Sequence, residues 1–106
     1  MEQAEKSFFD TMTQEILPSV RAVMAKKLLE NGFSQKDAAQ RLGLSQPAIS
    51  QYRRNLRGFK TRLIEANPRL QERVDSLARR LSEEAVPEKE LNMELLEICR
   101  GFLAEL

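Results

Sequence analysis

The chain of 106 residues has no histidine, no tryptophan and one cysteine, Cys99. Without histidine, and with a single thiol, the usual Cys/His zinc sites cannot be assembled. A lone cysteine cannot close an internal disulfide, so a reducing, cytoplasmic setting is the expectation. Catalysis loses its commonest acid–base group with histidine, and no glycine-rich phosphate loop or nucleophile–base set replaces it. No catalytic residue, metal or cofactor is therefore assigned, and an enzyme is not expected. No apolar run approaches the ~18 residues of a membrane helix, so no membrane partner is expected. The opening MEQAEKSFFD carries acidic residues and no apolar stretch, and does not read as a secretory signal. Valine, isoleucine and threonine are thinly scattered, which leaves helix as the regular structure and an all-α fold as the prediction.

Charge is scarce only as a net quantity. The sum is +1, but residues 33–64 hold seven basic side chains against one acidic, Asp37. Residues 1–32 carry four basic and five acidic, and residues 65–106 six basic and ten acidic. A basic middle between a near-neutral and an acidic flank is the footprint of a polyanion-binding surface on one part of the molecule. The acidic tail faces solvent or protein on this reading.

Apolar spacing predicts a short amphipathic helix over residues 5–16, with Phe8, Phe9, Met12 and Ile16 on one face, and a break or restart at Leu17-Pro18. A second helix spans 18–31, with Val20, Met24 and Leu28 aligned and Val23 beside them. Asn31-Gly32 ends it. Ser34 then caps a two-turn helix, 35–42, with Asp37 three residues on. Gly43 turns the chain, Ser45 caps again, and Pro47 stands in the first turn of a helix over 46–56. Two short capped helices joined by about three residues with a glycine make a helix-turn-helix over 34–57.

Each position of SQKDAAQRLGLSQPAISQYRRNLRG has a physical task. Ala39 lets the two helices cross closely, and Gly43 makes the turn without a β-carbon. Leu42, Leu44, Ile49 and Tyr52 point inward, the tyrosine packing into the core rather than stacking on a base. Gln46, Pro47, Ser50 and Gln51 face outward at the start of the second helix, the part of such a helix that meets base edges in the major groove. Glutamine can pair with adenine N6 and N7, and serine is less discriminating. Gln35 at a helix start, Ser45, Arg53, Arg54, Arg57 and Lys60 are the expected phosphate contacts. The expected partner is double-stranded DNA and the expected role transcriptional regulation. A protein–protein adaptor using the same two helices is the alternative.

The run S-Q-x-x-x-A-x-x-L-G-x-S-Q-x-x-I-S-Q-Y resembles the phage-repressor/Cro-like (XRE) helix-turn-helix family. The resemblance implies roles for Gln35 as phosphate contact, Ala39 as helix-crossing residue, Gly43 as turn glycine, Gln46 as base reader and Ile49 as core aliphatic. LPSVRAVMAKKLLENG before it and RG after it look similar to short stand-alone archaeal-type regulators. Members of that group often carry a cysteine cluster in the tail. Here ELLEICRG has Cys99 alone, which is read as a small buried hydrophobe, so no metal role is carried over.

Beyond the motif, residues 59–66 read as helical. Asn67-Pro68 then caps a helix with Leu70, Val74, Leu77 and Leu81 in a stripe, Val86-Pro87 breaks it, and a last helix over 88–104 carries Leu91, Leu95, Ile98 and Phe102. These eight residues predict an αα-hairpin, with Arg79 and Arg80 on its solvated surface. The hairpin either packs on its own head or pairs with a second copy. The second is expected, because such readers usually bind two-fold symmetric operators as homodimers. The chain divides on this reading into a DNA-binding domain, 1–64, and a dimerisation segment, 65–106. An effector ligand, if there is one, is unknown from sequence.

Overall fold

The computed structural model describes residues 8–54 and 61–104, and every regular element among them is helical. Helix α1 (Phe8–Thr11) passes through a π-helical turn, Met12–Ile16, straight into α2 (Leu17–Glu30). Of the break or restart expected at Leu17-Pro18 the chain takes the restart without leaving the helix: Ile16 itself has helical backbone, at φ −75° and ψ −52°. Pro18 offers no N–H, and the widened turn before it is the register change that absorbs this loss. The Ser19 hydroxyl supplies a donor close by, bonding the Glu15 carbonyl at 2.6 Å. Ile16 is fully buried, as its place in the first apolar stripe requires, whereas the side chains of Phe8, Phe9 and Met12 lie outside the described residues.

Helix α2 is the axis of the molecule. Ser19, Val20, Ala22, Val23, Met24, Ala25 and Leu28 are all buried, which is more than one stripe of a helix can account for. A helix that is apolar on several sides needs neighbours on several sides. On one side lie α3 (Gln35–Leu42) and α4 (Gln46–Arg54). Helix α5 (Thr61–Glu65), α6 (Pro68–Glu83) and α7 (Glu88–Ala104) supply the others.

The tail's two helices do form a hairpin, and it closes over α2 of the same chain. Leu70, Val74, Leu77, Leu81, Leu91, Leu95, Ile98 and Phe102 are each 6% exposed or less within one copy. Within one copy these eight residues pack on α2 and on one another, which is the intramolecular packing named as the alternative. The reason is the unused apolar surface of α2, which a helix-turn-helix covers only in part. One continuous core joins Val20, Met24 and Ile49 to Ile64, Val74, Leu81 and Phe102, and so runs across the boundary drawn between residues 64 and 65.

Polar ties set the angle of the hairpin against the head. Lys26 meets Glu65 at 2.8 Å and Lys27 meets Asp75 at 3.2 Å. The Glu65 carboxylate raises the Lys26 pKa, mainly through this hydrogen bond. The Asn31 amide donates to the Ser82 hydroxyl at 3.2 Å. The Arg41 guanidinium donates to the Leu81 carbonyl at 2.8 Å, in the last turn of α6 where carbonyls lack helical partners. Such half-exposed pairs each contribute at most about 1 kcal/mol, so they orient the hairpin while the core holds it. Arg79 is exposed as expected, but Arg80 pairs with Glu90 and thereby ties α6 to α7.

Cys99 is fully buried on α7, and burial pushes its thiol up to about 11, against a weak opposing pull from the Arg21 charge. The native protein at pH 8 is expected to react with DTNB far more slowly than the urea-unfolded chain, because the thiolate is the nucleophile. The folded state holds this proton to higher pH than the unfolded thiol, whose ordinary value is 9.0. Stability is therefore expected to fall between about pH 9 and about pH 11. Equal labelling rates for native and unfolded protein would contradict the packing of α7.

Candidate nucleic-acid interface

The two helices of the motif begin and end where their caps dictate. Ser34 has extended backbone, and its hydroxyl accepts from the Asp37 amide at 3.1 Å. The amides of the turn before it remain directed out of the helix start. Gly43 ends α3 in the left-handed region, at φ +66°, and lets the Leu44 amide return to the Ala39 carbonyl at 2.9 Å. Ser45 caps α4 by accepting from the Ala48 amide at 3.2 Å, and Pro47 sits in the first turn where no N–H is needed.

Small and aliphatic residues fix the angle between the helices. Ala38, Ala39 and Leu42 of α3 are buried, as is Ile49 of α4, and Leu44 packs on them from the turn. Tyr52 is half-buried on the inward side of α4. The opposite side of α4 is open: Gln46, Pro47, Gln51, Arg53 and Arg54 are exposed and Ser50 is half-buried. At four-residue spacing Gln46, Ser50 and Arg54 form one row along the helix, with Pro47 and Gln51 beside it. This row is polar and lies on a single helix, the element whose width a major groove admits.

Of the expected phosphate contacts, Gln35, Ser45 and Arg53 border this row and Arg54 is part of it. Gln35 opens α3 and reaches Ser50 on α4, whose hydroxyl donates to Gln35 Oε1 at 2.7 Å. Ser45 is exposed at the start of α4. Arg53 stands at the other edge, bordering a shallow hollow with Lys26, Leu29 and Glu30 of α2. Arg57 and Lys60 lie outside the described residues, as do Asn55 and Leu56, the expected end of the reading helix.

Three basic residues of the middle segment, Lys36, Arg41 and Arg62, received no role from sequence. Lys36 is exposed next to Gln35 at the start of α3, a position that periodicity alone could have flagged. Arg41 is instead held over the Phe33 ring, 5.6 Å from its centroid, and bonded to α6, so its charge serves the fold. No spacing in the sequence signals a contact forty residues distant. Among the described residues no cluster of three acidic or thiol side chains is arranged to hold a metal ion, and no helix is long and apolar enough to cross a membrane.

A capped, glycine-turned pair of short helices with a polar outer row defines a helix-turn-helix unit. Residues 24–65 match a family model described as helix-turn-helix, consistent with the Cro/repressor-like (XRE) resemblance of the motif. No curated protein and no solved structure matched the chain.

Proposed function

We propose that the protein is a sequence-specific transcriptional regulator that lays α4 in the major groove of DNA. The observation that carries this reading is the outward polar row of exposed Gln46, half-buried Ser50 and exposed Arg54 on a helix whose other side is locked into the core by Ile49. Gln46, Pro47, Ser50 and Gln51 meet base edges. Gln35, Ser45, Arg53, Arg54, Arg57 and Lys60 hold the backbone, with Lys36 added to them. Regulation then works by occupancy, blocking or recruiting polymerase.

One such helix reads only a few base pairs, so a homodimer on two half-sites about 34 Å apart remains the binding form we favour. Selection of bound duplexes from a random pool tests the reading. Enrichment of one short motif, repeated with two-fold symmetry, is expected, and a pool that stays random would overturn it.

A further inference from the structure

The hydrogen bond between Ser50 and Gln35 has a direction, and the direction limits what Ser50 can read. A serine hydroxyl owns one proton and two lone pairs, whereas an amide oxygen has only lone pairs. At 2.7 Å from Gln35 Oε1, the shared proton must belong to Ser50. Both side chains are half-buried, at the seam where α3 meets α4, so water competes less for this bond than on open surface.

Resting on the DNA-binding reading above, we propose that Ser50 is an obligate acceptor at the base edge and selects adenine or cytosine at the position it meets. With its proton given to Gln35, Ser50 Oγ turns only lone pairs toward the groove. Adenine N6 and cytosine N4 present N–H donors there, whereas guanine O6 and thymine O4 are acceptors and would set lone pair against lone pair. Gln35 is polarised in the opposite sense. Its oxygen is occupied, so its NH₂ group is what remains for a phosphate oxygen.

Base amine, serine hydroxyl and glutamine carbonyl thus form a chain of donors running one way, in which each bond strengthens the next. The chain couples the phosphate contact of α3 to the base contact of α4. A Gln35 amide turned by half a revolution would reverse it. The amide nitrogen would then donate to Ser50, and the hydroxyl, with its proton free, could read guanine or thymine as well.

Selection from a random duplex pool with the full chain, Ser50→Ala and Gln35→Ala separates these cases. The unaltered protein is expected to enrich adenine or cytosine at one position per half-site by about fivefold, the scale of one neutral hydrogen bond. Ser50→Ala is expected to flatten that position and leave the others. Gln35→Ala is expected to flatten the same position, since the freed hydroxyl can then donate or accept, and to weaken binding to all sequences alike. Guanine or thymine at the Ser50-dependent position would overturn the proposal, as would a Ser50→Ala variant that still selects the unaltered motif. Those results leave the DNA-binding reading standing, whereas failure of the unaltered protein to select any motif removes both.

Discussion

Val74→Asp is expected to unfold the helix-turn-helix together with the hairpin, although residue 74 lies far outside the motif. Val74 is fully buried in the middle of α6, in the core that also contains Val20, Met24 and Ile49. A carboxylate there has no partner, and an uncompensated buried charge costs about 3–5 kcal/mol, comparable with the whole stability of a small domain. Circular dichroism should show loss of helix well beyond α6 and α7, in one transition. Glu72→Ala on the exposed side of the same helix should shift stability by no more than about 0.5 kcal/mol. If the Val74→Asp protein kept a folded head that still bound DNA, head and tail would be separate domains divided near residue 64.

Gln46→Ala is expected to weaken binding to the selected motif by about 1–3 kcal/mol and to leave binding to random duplex unchanged. Gln46 is exposed at the first position of α4 and takes no part in the core, so truncation should spare the fold. Arg53→Ala provides the contrast. A phosphate contact carries no sequence information, so its loss should weaken all duplexes similarly and lower the salt slope by about one. Competition assays with motif and random duplex, run on both variants, distinguish the roles. A uniform loss in Gln46→Ala would move that residue from base reading to backbone contact.

The parts of the fold written in local chemistry were legible from sequence. Ser34, Gly43, Ser45 and Asn67 each act at the backbone within a few residues, and the helices they bound lie where those residues predict. The inward set of Ala39, Leu42 and Ile49 followed from helical phase in the same way. Three features did not follow. Leu17-Pro18 signals a helix start and a helix break equally well, and only the π-helical turn in front of it decides for continuity.

The stripes on α6 and α7 state that these helices bury one face but not against what. The deciding signal lay in α2, where Val20, Ala22, Val23, Met24, Ala25 and Leu28 leave little polar surface. Read as a helix apolar on several sides, α2 asks for a cover from its own chain. The pairing of Ser50 with Gln35 was out of reach for a related reason. Both residues are legible as DNA contacts, but a bond between side chains on two helices depends on the angle at which α3 and α4 cross.

The central claim is that the open face of α4 and the basic residues around it bind duplex DNA. Its most direct test is a titration of binding to random duplex against salt concentration. With about four phosphate contacts, log K should fall linearly against log salt with a slope of roughly −4 per protomer. Binding undetectable at ~50 mM salt, or an affinity indifferent to salt, would contradict the claim.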